Sequence, residues 1–255
     1  MLPSLFISHG SPMLALESGA SGPALAGLAA RLPQPRAVLI QSAHWESSEL
    51  LLGSAAHPAT WHDFHGFPPQ LYQLDYPAAG DPQLAADITV RLNAAGLESR
   101  LDAQRPRDHG AWVPLSLLYP AADIPLVQIS LPTQRGAAFQ RRVGQALAGL
   151  RAEGVLLIGS GSITHNLGQL DWQAGPQSVA PWAQTFRDWM VERLMAGDQH
   201  ALLNYRELAP FAVRSHPTEE HLLPLFFAMG AGAAMTVEHS GFTLGALGMD
   251  IYSFA

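Results

Sequence analysis

Cysteine is absent from this 255-residue chain. That excludes disulfide staples, thiolate zinc sites, iron–sulfur clusters and a cysteine nucleophile. Charge is also scarce: Asp, Glu, Lys and Arg make up 14% of the residues, about half of the usual ~25%. Positive charge is the scarcer kind, with 14 Lys and Arg against 21 Asp and Glu. The resulting net charge of −7 makes a nucleic-acid backbone a poor partner. No apolar run approaches the ~18 residues of a membrane span. The opening stretch from Met1 to His9 has neither a basic n-region nor a long apolar h-region. The expected setting is therefore soluble and cytoplasmic. No repeat, low-complexity tract or linker interrupts the chain, so a single catalytic domain over 1–255 is expected.

Histidine is what the chain has in plenty, with 11 residues. Without cysteine, a borderline metal must be held by imidazole and carboxylate.

Short apolar runs alternate with helical stretches. Leu5–Ile7, Ala37–Gln41, Leu50–Leu52, Pro125–Leu131 and Val155–Ile158 read as strands, several of them apolar throughout and so buried on both faces. Helices are expected over Ala24–Leu32, Asp81–Ala95, Gly136–Ala152, Pro181–Met195 and His221–Met229. Asp81 with Pro82 supplies a cap and a first-position proline. The tail from Met235 to Phe254 reads as two more short strands. This alternation predicts an α/β fold, a three-layer αβα domain around a mostly parallel or mixed sheet. The segment His57–Tyr76, rich in Pro, aromatic residues and His, is too long for an ordinary connection and is expected to be functional.

Three histidines share one context. His9 follows Leu5–Ile7, His44 follows Ala37–Gln41, and His165 follows Val155–Ile158. Each is expected just past the carboxyl end of a strand, where open α/β sheets bind ligands. His221 is expected in the first turn of an apolar helix capped by Thr218. There a buried imidazole needs a metal, a carboxylate or a carbonyl to satisfy it. His109 is expected in a loop beside Asp108, just before a short helix, as an acid–base or oxyanion residue. His57, His62 and His65 lie in the aromatic loop, and no role is read for His200 or His239. Gly159-Ser160-Gly161 lacks the Lys and third glycine of a phosphate loop, and no G-x-S-x-G elbow surrounds Ser160.

Ser8-His9-Gly10-Ser11-Pro12-Met13, Ser42-Ala43-His44-Trp45, His62-Asp63-Phe64-His65-Gly66-Phe67-Pro68, Asp108-His109-Gly110-Ala111-Trp112, Gly161-Ser162-Ile163-Thr164-His165-Asn166 and Pro217-Thr218-Glu219-Glu220-His221-Leu222-Leu223-Pro224-Leu225 occur in this order. Together they resemble the class III extradiol ring-cleaving dioxygenases, in particular their DOPA-4,5-dioxygenase branch. The resemblance spans nearly the whole chain. It implies a small catechol substrate opened with O₂ at a non-haem Fe(II), with neither nucleic acid nor membrane as partner and with a homo-oligomer allowed. It implies that His9, His44 and His221 are metal ligands, that His165 is a further metal contact or the acid–base residue, and that His109 acts from outside the metal's own ligands. One departure stands out: an oxygenase iron usually has a carboxylate among its three facial ligands, and here the third position is His221. An all-imidazole set also suits Zn(II). The alternatives are thus a zinc hydrolase using Glu219, Glu220 or Asp108 as base, or a metal-binding relative without catalysis.

Overall fold

Strand β1 (Ser4–Ser8) opens the computed structural model, which describes residues 1–175 and 178–255. There follow α1 (Ser21–Arg31), β2 (Ala37–Glu46), β3 (Leu50–Gly53), α2 (Pro82–Ala94), β4 (Ser99–Asp102), α3 (His109–Leu118), β5 (Leu126–Leu131), α4 (Gly136–Leu147), β6 (Val155–Gly161) and α5 (Pro181–Ala196). Three short helices, α6 (Gln199–Leu203), α7 (Tyr205–Leu208) and α8 (Ala212–Ser215), lead to α9 (Leu223–Ala231). The chain ends with β7 (Met235–His239), β8 (Phe242–Thr243), β9 (Leu247–Gly248) and β10 (Ile251–Phe254).

Eight strands form one sheet in the order β4-β3-β5-β2-β6-β1-β10-β7. Its centre is parallel: β1 pairs with β6, β6 with β2, and β2 with β5. Antiparallel pairs flank it, β10 beside β1 and β3 beside β5. The central strands are apolar throughout because both faces are covered. Ile7, Val38, Ile40, Leu156 and Ile158 pack with Leu25 and Leu28 of α1 and with Val113 and Leu115 of α3. Their alternates Leu39, Val155 and Leu157 pack with α2, α4 and α9. This is the expected three-layer arrangement. Each fully buried Val, Leu or Ile contributes about 1.5–3 kcal/mol.

The Asp81 cap is present, its carboxylate accepting the Leu84 N–H at 2.9 Å. Other expectations need correction. The helix begun at Gly136 ends at Leu147 and tightens into a 3₁₀ turn over Ala148–Arg151. The tail holds four strands, since β7 and β10 join the main sheet while β8 and β9 form a separate ladder. Strand β4 was not anticipated. It is an edge strand that pairs only with β3, and its Ser-Arg-Leu-Asp sequence carries a single apolar residue. Among the described residues, no helix is long and apolar enough to cross a membrane.

Candidate metal centre

The register brings His9 and His44 to one height. In the parallel ladder Ser160 of β6 stands opposite Ile7 of β1 on one side and Ser42 of β2 on the other. His9 and His44 each follow that row by two residues. Side chains alternate along a strand, so His9 shares the face of Ile7 and His44 the face of Ser42. That is the face covered by α3. His44 does not lie beyond its strand as expected. Strand β2 continues to Glu46, but its register lapses between Gln41 and Glu46, and His44 sits in that irregular stretch.

The tautomer of His9 follows from a proline. Pro114 lies inside α3 and has no N–H for the carbonyl of Gly110, four residues earlier. That carbonyl instead accepts the hydroxyl proton of Ser160. With its proton committed, Ser160 Oγ accepts from His9 Nδ1, 2.9 Å away. The Nε2 lone pair of His9 is left facing His44, whose Nε2 is 3.0 Å distant. Gly110 has to be glycine for this packing, because a Cβ there would sit 2.9 Å from the His44 ring and against Ser42 Oγ.

His221 arrives from the opposite layer. It precedes α9 rather than opening it: the helix begins at Leu223 with Pro224 in its first turn, and Thr218 is not its cap. Pro224 fixes a helical φ and needs no N–H partner at that point. The His221 carbonyl accepts the N–H of Ser162 at 2.8 Å. This approach explains Gly159 and Gly161, where a Cβ would collide with the carbonyls of Pro224 and His221 respectively. The glycines serve backbone contact, not phosphate binding. Glu220 accepts from His221 Nδ1 at 2.9 Å, which leaves its Nε2 free.

His9, His44 and His221 each offer a nitrogen, and the three atoms lie within 4.8 Å of one another. His9 Nε2 and His44 Nε2 are 3.0 Å apart, close enough to bind one ion together. The rings are electrically suited as well. Burial, and then the neighbouring imidazoles, hold His9 and His221 well below the usual histidine pKa. Burial and His109 take His44 down to about 3, against the opposing pull of Asp63. Neutral imidazoles are what a metal requires. The donor set fits a divalent ion.

His165 and His109 flank the trio. His165 lies face to face with His221, the ring centroids 3.4 Å apart and the planes at 6°. Burial lowers its pKa to about 4, with Glu220 opposing. His109 is the first residue of α3, not part of a loop before it. Its ring is 4.0 Å from that of His44. Both its backbone N–H and its Nδ1 donate to Asp63 Oδ1, at 2.8 and 3.0 Å. Burial raises the Asp63 pKa, but these bonds and the imidazoles of His109 and His44 bring it below its usual value.

Asp63 was missed as a partner of His109, because the two are 46 positions apart in sequence. The two other acids considered as bases are engaged elsewhere. Glu219 accepts from the Tyr205 hydroxyl at 2.5 Å. Asp108 is fully buried and accepts from Ser42 at 2.6 Å, from Arg105 at 3.2 Å and from Gln128. His216, unremarked in the sequence, is fully buried, its Nε2 donating to the Ile163 carbonyl at 3.0 Å.

The aromatic segment closes over this edge of the sheet. Trp61 N–H donates to the Arg107 carbonyl at 2.7 Å, and Trp112 Nε1 donates to the Trp61 carbonyl at 3.0 Å. Phe64 stands edge-on to the His109 ring, centroids 5.7 Å apart, and packs on Phe67 and Tyr72. His62 donates to the Leu74 carbonyl at 3.0 Å and so braces the loop itself. A cavity of about 940 Å³ is lined by Ser11, Met13, Phe67, Trp172, Arg187 and Met249, among others.

Comparison with known proteins agrees with this picture. Residues 3–255 match the family described as the catalytic LigB subunit of aromatic ring-opening dioxygenase. The chain is similar to 4,5-DOPA dioxygenase extradiol of Escherichia coli K12, 38% identical over 97% of this chain and 93% of that protein. It is similar to 4,5-DOPA dioxygenase extradiol of Beta vulgaris, 42% identical over 89% of this chain and 86% of the relative. The crystal structure of an uncharacterized Escherichia coli K12 protein superposes with a TM-score of 0.84, at 33% identity, over the whole of both chains.

Proposed function

The chain belongs to the family of the catalytic LigB subunit of aromatic ring-opening dioxygenases and is an extradiol dioxygenase, and on that premise we propose that it opens a catechol of the DOPA type with Fe(II) held by His9, His44 and His221. The observation that carries this reading is the set of three neutral imidazoles, His9 and His221 buried and His44 half-buried, whose nitrogens lie within 4.8 Å. The relatives named above act, by their names, on DOPA, and that supports a catechol as substrate. We read residues 1–255 as a single catalytic domain.

Bound there by His9, His44 and His221, Fe(II) would supply the redox chemistry and open coordination that activation of O₂ beside a catechol requires. The chain's own residues do the rest. Ser160 and Glu220 keep protons on the Nδ1 atoms of His9 and His221, so both Nε2 lone pairs stay available. Asp63 keeps a proton on His109 Nδ1, which leaves His109 Nε2 to accept or donate a hydrogen bond toward substrate oxygen. His165, stacked on His221, is suited to take the second catechol proton and return it to the product. The grouping of donors argues for that role over a fourth ligand position. His221, and not His165, shares a set of donor atoms with His9 and His44. Phe64, Phe67 and Trp61 supply the apolar, aromatic wall that a catechol ring favours.

The carboxylates proposed as base in the hydrolase alternative are otherwise engaged. Asp108 and Glu219 are bonded away from the cluster, and Glu220 is committed to His221. The test is anaerobic reconstitution with Fe(II) or Zn(II), followed by a catechol library and O₂. Uptake of O₂ with a yellow ring-opened product in the Fe(II) protein alone supports the proposal. O₂ uptake with none of the catechols, or equal uptake by the zinc protein, overturns its substrate or its metal.

A further inference from the structure

His44 occupies an awkward place for a metal ligand. The ladder with β6 ends at Ser42, and the ladder with β5 lapses from Gln41 to Glu46. Regular strand pairing therefore does not fix the peptide that carries the imidazole. Two other contacts do. The His44 N–H donates to Ser42 Oγ at 3.2 Å, and the His44 carbonyl accepts from Arg105 Nη2 at 2.8 Å. Both partners are themselves fastened to one carboxylate. Ser42 Oγ donates to Asp108 Oδ1 at 2.6 Å, and Arg105 Nη2 reaches Asp108 Oδ2 at 3.2 Å.

We propose that Asp108 is a positioning residue for the metal, gripping the backbone of His44 through Ser42 on its N–H side and Arg105 on its C=O side. The inference rests on the reading of His44 as a ligand. Each carboxylate oxygen serves one arm, so the ring Asp108–Ser42–His44–Arg105 closes on itself. Gln128 donates a further bond to Oδ2 and fixes the carboxylate from behind. Asp108 is fully buried, so no solvent competes for either oxygen. Arg105 is also oriented by aromatic faces, with its guanidinium carbon 5.1 Å from the Trp45 ring and 4.8 Å from the Trp61 ring. Lysine has neither the planar fork nor the stacking face to replace it. One strap thus ties the ligand, the residue after it and the aromatic loop to the start of α3. The same peptide continues into His109, so the clamp sets both histidines from a single anchor.

The experiment is zinc affinity, measured by competition with a chromophoric chelator, on the wild type and on Ser42→Ala, Arg105→Lys, Asp108→Asn and His44→Ala. Circular dichroism and thermal melting of the metal-free proteins fix the folded fraction. Outer-shell partners of metal ligands typically govern 10–100-fold in affinity. Asp108→Asn should fall within that range, and Ser42→Ala and Arg105→Lys should each weaken zinc by about tenfold. Ser42→Ala should add little in the Asp108→Asn background, because both act through one ring. If Asp108→Asn does not fold, the two single-arm variants decide. Folded Ser42→Ala and Arg105→Lys proteins that bind zinc as tightly as wild type, whatever their melting temperatures, overturn the clamp. Wild-type zinc affinity in His44→Ala overturns instead the reading of His44 as a ligand.

Discussion

The imidazoles of His165 and His221 are stacked 3.4 Å apart and within 6° of parallel, yet only His221 shares a donor cluster with His9 and His44. On the proposed reading, the two stacked rings have separate roles. His221→Ala should lose stoichiometric metal. His165→Gln should keep it and lose turnover by about 10²–10⁴-fold, the usual worth of a positioned acid–base group. Metal analysis and oxygen uptake on the same preparations check this. Loss of metal in His165→Gln would make it a fourth ligand.

His109 and Asp63 form a second pair. His109→Ala should bind metal and catechol nearly normally, while kcat falls by about 10²–10³-fold. Asp63→Asn should reproduce part of that loss, because an amide can bond either tautomer of His109 and no longer selects one. Steady-state oxygen uptake with metal titration separates these outcomes. An unchanged kcat in both variants would return the pair to a structural role.

Ser160 holds His9 through its hydroxyl. Ser160→Ala removes the acceptor for His9 Nδ1 and frees the other tautomer, so metal affinity should weaken by about 10–100-fold. Chelator competition measures it, and wild-type affinity would contradict the relay from Pro114 through Gly110.

The aromatic loop Trp61–Pro69 should shape the substrate site. Shortening it between His65 and Pro68 leaves Asp63 in place and should raise KM or abolish turnover without releasing metal. Unchanged kinetic constants would count against that.

His216 gives a pH test away from the proposed ligands. Burial takes its pKa from 6.5 to about 3 in the folded chain. The unfolded chain therefore binds a proton that the folded chain refuses. Its contribution is fully present above pH ~6.5 and is lost as pH falls toward about 3. The metal-free protein should lose stability on acidification, and His216→Gln should flatten that slope by up to ~1.4 kcal/mol per pH unit. Denaturant midpoints between pH 7 and 5 check this. Identical slopes would contradict it.

What the sequence made legible was local. His9 and His165 announce themselves because an apolar strand precedes each within a few residues. Asp81 with Pro82 marks the start of α2 in the same way. What stayed hidden depends on partners far apart in the chain. Ser160 reads as one serine between two glycines, and its use appears only when His9, 151 positions away, is laid beside it. Gly161 reads as a loop glycine, but it is the surface on which the His221 backbone rests. His216 sits between Ser215 and Pro217 in what reads as a loop, and only the packing of α5 and the turn after β6 buries it. Strand β4 has too little apolar character to be seen without β3.

The most direct test of the central claim is the fate of the oxygen atoms. Fe(II)-loaded protein should turn over a catechol under ¹⁸O₂, and mass spectrometry should find one label retained in the new carboxylate of the ring-opened product, with one O₂ consumed per product. The aldehyde oxygen exchanges with water and is not diagnostic. A carboxylate unlabelled by ¹⁸O₂, or ring-opened product formed without consumption of O₂, would contradict ring opening by dioxygenation.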